Sequence, residues 1–329
     1  MTESKLKQPK VSILIPVFNR KQYITECIQS ALNQVFTDFE IVVVDNASDD
    51  GTWDICQKFA ALDLRVRIFR NEVNIGPVRN WIRCAQEAKG VFSKILFSDD
   101  CMEPNCLNEM VQKLSDQRVA LVYCDALLGK SREDSIVIYS QADSSKIDGN
   151  HFLSLVLSYK APKSPGAVLI RTVDLLKNLH PSFPTSTPRS FEKNGAGPDV
   201  LLLLLTSRDY EYVEYIKQPL VFFRDHSASF SAENKNNEVV KGYQSAIAFF
   251  LKTNYGDHCW LSYLSAEWIL HIRLSRCWCN PVDHVMEFEG VGKLSEVMRL
   301  ICLAMGHVAN TIYEKIIKSV AVLTAFSKS

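Results

Sequence analysis

Apolar residues in the first 130 positions fall into short unbroken runs, separated by stretches with helical spacing. Residues 11–18 read as a strand. A helix follows over 22–35, with Ile24, Ile28, Ala31, Leu32 and Val35 on one face. The pattern then repeats: strand 40–45, helix 52–62, strand 66–69, helix 76–88. Val78, Trp81, Ile82 and Ala85 point inward from the last of these. A strand over 93–98, a helix over 105–115 and a strand over 119–128 complete the series. Such alternation predicts βαβ units, and so an α/β fold with a Rossmann-like, mostly parallel sheet flanked by helices.

Beyond Gly129 the pattern weakens. The stretch to Ser164 is polar and mixed, and 163–170 returns to apolar character. Residues 181–198 carry four prolines and read as a loop. Residues 199–206 are apolar and helical in character, and 212–224 resemble two short strands broken at Gln218-Pro219. From about Glu233 the composition turns helical. The expected organisation is an α/β domain over 1–232, with a first half at about 10–128 and a second half at about 129–232, followed by a helical region over 233–329.

Within that last region, Val297, Leu300, Ile301, Ala304, Val308, Ile312, Ile316, Val320 and Leu323 recur at helical spacing among mainly positive charges. Two expectations fit: a helix packed on the catalytic domain or on a second subunit, or one lying on an anionic membrane surface. His307, Glu314 and Lys315 interrupt the run and exclude a comfortable span.

Composition narrows the function. Lys plus Arg and Asp plus Glu both number 37 in 329 residues, so no global field advertises a nucleic-acid partner. The ten cysteines form no CxxC pair, and Cys27, Cys56, Cys84 and Cys124 sit among apolar neighbours as small core residues. The N-terminus is polar, without an apolar signal core, and no run of about 18 apolar residues occurs. A cytoplasmic protein is expected, with peripheral contact at the inner face of the cell membrane as the extension the C-terminal pattern allows.

The chemistry lies where apolar runs end. Residues 95–97 are Ile-Leu-Phe, and Ser98, Asp99 and Asp100 follow at once. Two carboxylates closing a buried strand need water or a cation beside them. A hard ion such as Mg²⁺ takes few protein carboxylates and fills its shell with phosphate oxygens and water, so the pair suits a metal–diphosphate. Strand one ends in Pro16-Val17-Phe18-Asn19-Arg20, and strand two ends in Asp45, placed to accept hydrogen bonds from a ribose or a base. In open α/β sheets these carboxyl ends share one rim. A dinucleotide site also puts an acid near Asp45 but needs a glycine-rich turn after strand one, and no glycine lies between Val11 and Gln34. A GxxxxGK[ST] loop is absent as well, which removes P-loop chemistry.

The segments VSILIPVFNR, EIVVVDNASDDGT, NIGPVRNW and KILFSDDCMEP, in that order, resemble the family 2 inverting glycosyltransferases over residues ~10 to ~230. The resemblance implies a GT-A fold and transfer of a sugar from a nucleoside-diphosphate donor, most often UDP-linked. Pro16, Phe18 and Asn19 would border the nucleotide, and Asp45 would bind its uracil or ribose. Asn74, Gly76 and Arg79 would flank it. Ser98, Asp99 and Asp100 match the acidic motif, with Asp100 as metal ligand and Asp99 at the ribose or the metal. Relatives carry an acid where this chain has Phe97 or Ser98, so the ion would rest on fewer protein ligands. His226, within an R-x-H-xx-S segment, would join the metal or phosphate shell, and Arg224 would reach phosphate or form a surface salt bridge. Pro165-Gly166-Ala167 resembles the segment lining the acceptor side.

The family's general base is an acid just before or inside an apolar helix, usually within a Glu-Asp pair, where this chain has Pro-Asp. Asp199, after Gly197-Pro198, fits that place, although an Asp in a first helical turn is favourable on its own account. Trp53 and Trp81 are expected in the core, and His151, His180 and His258 lack partners at ligand spacing. The implied activity is inverting, Mg²⁺- or Mn²⁺-dependent transfer to a hydroxyl of a saccharide or lipid-linked acceptor, in cell-surface polysaccharide or lipopolysaccharide synthesis. The rival readings are a nucleotidyltransferase, which wants glycines where Phe18-Asn19-Arg20-Lys21 stand, and a nucleotide-sugar-binding protein without turnover.

Overall fold

The computed structural model describes residues 8–141, 145–185, 191, 195–227, 229, 238–256 and 263–264. Strands β1 (Val11–Val17) and β2 (Phe39–Asp45) are buried at every position, as expected of parallel strands covered on both faces. β3 (Val66–Arg70) and β4 (Phe92–Ile95) extend the parallel set on either side. The connecting helices are α1 (Ile24–Leu32), α2 (Thr52–Leu62) and α3 (Pro77–Glu87). Next come the short strand β5 (Cys101–Met102), helix α4 (Cys106–Leu114) and the long strand β6 (Val119–Gly129).

Among the described residues the sheet runs β3-β2-β1-β4-β9-β6-β10-β5, where β9 is Val168–Arg171 and β10 is Tyr212–Arg224. β7 (Ile136–Ile138) pairs with β6, and β8 (Ser145–Ile147) with β10. The parallel pairings are those of β1 to β4 and β6 with β10; the others are antiparallel. β9 thus joins an all-parallel first half to a mixed second half.

Several elements differ from the sequence pattern. The first helix ends at Leu32, and Val35 is 60% exposed rather than inward. The chain has left the helix there, and the Val35 N–H donates to the Pro104 carbonyl. β4 stops at Ile95, three residues early, because the chain turns at 97–100, with the Asp100 N–H bonded to the Phe97 carbonyl. Helices α5 (Gly149–Leu157) and α6 (Thr172–Asn178) lie in stretches whose pattern had suggested none. Residues 212–224 form one strand, with register shifts on both sides of Pro219, which has no N–H for the ladder. Helix α7 (Pro198–Arg208) begins at a proline, as the sequence suggests.

The core beneath the sheet joins Ile13, Ile15, Ile41 and Val43 to α1 and α4, with Cys27, Cys56, Cys106 and Cys124 packed among them. Cys84 is buried too, and burial pushes its thiol well up and that of Cys56 to about 12, so these behave as small apolar side chains.

The described residues form two units. The first runs to Tyr243; the second holds Gln244 onward, with Pro184 and Thr185. Helix α8 (Glu238–Tyr255) opens in the first and continues in the second, where Ala246, Ile247, Phe250 and Leu251 are buried. No described helix is long and apolar enough to cross a membrane. The amphipathic pattern over 294–326 and His258 lie outside the described residues.

Candidate active site

The carboxyl ends of β1, β2 and β4 open onto one cavity of about 1120 Å³, large enough for a nucleotide sugar. Pro16, Phe18 and Asn19 form one side, and Asn74, Gly76 and Arg79 another. Ser98, Asp99 and Asp100 form the floor, and Asp199 closes the far wall. Residues 183 positions apart in sequence therefore line a single space.

Local bonding explains why the rim holds its shape. After β1 the chain passes Asn19 at φ 50°, and Asn19 exchanges side-chain and backbone hydrogen bonds with Asp49 at 2.9 and 3.0 Å. Asp50 caps the Thr52 N–H at 2.9 Å and takes the Lys21 N–H at 3.0 Å. These two acids stitch loops together and do not belong to the cavity wall.

The loop before α3 hangs on Asn74 and on three asparagines, 46, 71 and 80, that the resemblance does not single out. Asn46 Nδ2 donates to Asn74 Oδ1 at 2.8 Å, and its Oδ1 takes the Ile75 N–H at 3.0 Å. Asn71 Nδ2 bridges Asn46 Oδ1 and Asn80 Oδ1, each at 2.9 Å. The signal was the run of asparagines at 71, 74 and 80 after Asn46, each offering both a donor and an acceptor.

Asp45 is fully buried beneath this rim and does not line the cavity. Its Oδ2 accepts from the Ser48 N–H and pairs with Arg70 Nε, both at 3.1 Å, while its Oδ1 is buried with no partner. An orphaned carboxylate oxygen is costly, and a ligand donor arriving there would relieve it.

The two acids after β4 are held differently. Asp99 Oδ2 accepts from Arg20 Nε at 3.2 Å and lies 3.0 Å from His226 Nε2. Asp100 is 8% exposed, and its Oδ1 takes the Arg224 N–H at 3.0 Å. Burial, then the neighbouring Asp99 charge, hold its carboxyl well above the usual range. His226 packs its ring on Tyr23 and stands beside Asp99 rather than on the cavity wall, with Nδ1 buried and unpartnered. Arg224 Nε donates to the Asp99 carbonyl at 3.1 Å and its Nη2 bonds Glu26, so it braces the acidic turn. Arg20, missed in the sequence, joins Arg79 and Arg224 on the wall and gives the floor a positive surround.

The group fits a hard cation chemically: two adjacent carboxylates, one destabilised by burial and by its neighbour, at the edge of the cavity. Among the described residues no three His, Cys, Asp or Glu side chains cluster as a ready-made metal site. Any ion would draw the remainder of its shell from phosphate and water.

Below the turn lies Lys94, fully buried between Ser93 and Ile95 in β4. Its Nζ donates to the Ile95 carbonyl at 3.0 Å and to the Gly166 carbonyl. It ties the end of β4 to the helical turn Pro165–Ala167, the segment expected on the acceptor side. Trp53 packs against the core as expected. Trp81 is also buried, yet it forms part of the cavity wall beside Phe97, with ring centroids 5.5 Å apart.

Asp199 sits in the first turn of α7, 3% exposed. Its Oδ1 takes the N–H groups of Gly197 and Val200, each at 2.8 Å, and its Oδ2 takes the Tyr243 hydroxyl at 3.1 Å. Burial dominates those bonds and raises its carboxyl to about 7, a value suited to a proton acceptor near neutral pH. The loop before it is tightly set. Gly195 has φ +72°, and a Cβ there would lie 2.5 Å from Trp81. Gly195→Ala is therefore expected to destabilise the protein by at least about 1–2 kcal/mol, from the left-handed backbone alone. A denaturant melt checks this, and an unchanged midpoint would show the loop to be looser than described.

Residues 12–166 match the family described as Glycosyl transferase family 2. The putative glycosyltransferase EpsH of Bacillus subtilis (strain 168) is 26% identical over 261 residues, covering 76% of this chain and 71% of that protein. The GalNAc(5)-diNAcBac-PP-undecaprenol beta-1,3-glucosyltransferase of Campylobacter jejuni is 33% identical over 123 residues, 37% of this chain and 40% of its own. Among solved structures, S. aureus TarS 1-349 in complex with UDP-GlcNAc superposes with a TM-score of 0.62 at 18% identity, over 89% of this chain and 79% of that one. At that identity the likeness is one of fold, and the fold is the GT-A architecture of a central sheet flanked by helices.

Proposed function

We propose that the chain, whose residues 12–166 match glycosyltransferase family 2, is an inverting transferase acting on a nucleoside-diphosphate sugar, UDP-linked. One observation carries the proposal: a single cavity joins the acidic turn Asp99-Asp100 to Asp199, a carboxyl poised near neutrality. A donor diphosphate and a proton acceptor need to face one another across such a space.

The nucleotide would lie along β1 and β2, its base or ribose donating to Asp45 Oδ1, the oxygen left without a partner. Asn19 and the Asn74–Gly76 loop would border it, and Arg20 and Arg79 would offset phosphate charge. Asp99 and Asp100 would hold Mg²⁺ or Mn²⁺, with His226 fixing the Asp99 carboxylate. When bound, the ion would neutralise charge developing on the leaving diphosphate. Asp199 would take the proton from an acceptor hydroxyl as its oxygen attacks the anomeric carbon, while the carbon–diphosphate bond breaks on the opposite face. Attack opposite the leaving group inverts the configuration.

The relatives support a role in building cell-surface polysaccharide. TarS binds UDP-GlcNAc, and the Campylobacter protein is described as acting on an undecaprenol-linked glycan, which suggests a saccharide or lipid-linked acceptor here. The test of stereochemistry is direct. With a UDP-α-sugar labelled at C1 and an acceptor, carbon NMR should show a β-linked product; an α-linked product would refute inversion.

A further inference from the structure

Helix α8 begins well beyond the family-matched segment, yet its opening turns reach the wall that carries Asp199. Tyr243 and Val239 line the same cavity as the acidic turn. The Tyr243 hydroxyl donates to Asp199 Oδ2 at 3.1 Å, whereas Asp199 Oδ1 is already filled by two backbone N–H groups. Oδ2 is thus the oxygen left to face an acceptor, and a phenol holds its direction.

The residue before Tyr243 shows how the helix comes so close. A Cβ on Gly242 would lie 2.4 Å from the Ala196 carbonyl oxygen, so glycine is what lets the helix backbone meet the loop that delivers Asp199. Gly197, in that loop at φ +119°, faces the same helix turn: a Cβ there would be 3.1 Å from the Gly242 carbonyl oxygen. Loop and helix are fitted to one another by two glycines and then joined by a side-chain hydrogen bond.

We propose that Tyr243 is a positioning residue for the general base, its hydroxyl aiming Asp199 Oδ2 at the acceptor and favouring the carboxylate over the acid. The proposal rests on the reading of Asp199 as the base. Four titratable groups bear on this carboxyl. Tyr243 touches it from α8, and Tyr139, from the segment after β7, is near enough that the Asp199 charge helps burial to raise its phenol. Tyr159 and Lys163, ahead of the helical turn at 165, act through the Tyr243 ring, with Lys163 Nζ 5.7 Å from its centroid. Burial raises Asp199 most, and the phenol opposes that rise by stabilising the charged form.

The sign of the expected effect follows. Without the phenol the carboxylate is less favoured, so the acidic limb of the rate profile moves to higher pH. The experiment is the pH dependence of kcat for the full chain and for Tyr243→Phe, with UDP-sugar as donor. The variant's limb should rise by about one pH unit, giving about tenfold slower transfer below it and recovery above it, at an unchanged donor KM. A uniform loss at every pH, with the limb in place, would overturn the proposal, because structural damage is not repaired by raising the pH.

If Tyr243→Phe does not fold, 3,5-difluorotyrosine at position 243 keeps the shape and donates more strongly. The limb should then move down, and a fixed limb overturns the proposal. Asp199→Asn is assayed alongside. If it retains transfer, the base assignment fails and the proposal with it. If it loses transfer while the limb of the Tyr243 variants stays fixed, only the positioning role fails.

Discussion

Asp199→Asn should lower kcat by about 10²- to 10⁴-fold, the usual contribution of a general base, and leave UDP affinity almost unchanged. The substitution suits the site. An Asn Oδ1 can still accept the Gly197 and Val200 N–H groups, and its amide can donate to a reoriented Tyr243 hydroxyl. What is lost is the capacity to take a proton. A residue that merely capped α7 would give the opposite pattern, with turnover kept and stability lowered by about 0.5–2 kcal/mol. Transfer rate, melting temperature and UDP affinity on this one variant separate the two roles. Near-normal transfer with a lowered melting temperature would leave Asp199 as a cap.

The second large effect is expected at the acidic turn. At Asp100 burial and Asp99 disfavour the carboxylate, and a divalent cation would restore the charged form. UDP binding to the wild-type chain should therefore strengthen with Mn²⁺ and weaken with chelator. Asp100→Ala should abolish that difference and slow transfer by about two orders of magnitude or more, since a metal supplies several kcal/mol at a leaving phosphate. Calorimetry with and without chelator reads the first part. Equal UDP affinity in both, for the wild-type chain, would remove the metal from the account.

The strand ends were legible in sequence for a physical reason. Parallel strands buried on both faces are continuous apolar runs, so a carboxylate closing one marks the exit from the core. Asp45, Asp99 and Asp100 were visible on that ground, and Asp199 through its helix-opening context. Helices α5 and α6 were hidden because their apolar residues sit among polar ones in short segments, where pattern is weak. Lys94 was hidden because its partners are backbone carbonyls, one of them 72 residues away. Arg20 looked like the end of a motif, and only folding brings its guanidinium to Asp99. Tyr243 fell beyond the expected catalytic boundary at 232, in a stretch whose composition says only helix. The asparagines at 46, 71 and 80 left a visible run, but their mutual bonding depends on two loops meeting.

The most direct test is to identify the leaving group. The purified 329-residue chain, supplied with a panel of nucleotide sugars, Mn²⁺ and saccharide acceptors, should release a nucleoside diphosphate from at least one UDP-sugar and gain thermal stability from the same donor. Release of pyrophosphate from a nucleoside triphosphate and a sugar phosphate, with no diphosphate from any nucleotide sugar, would contradict the account and make the protein a nucleotidyltransferase.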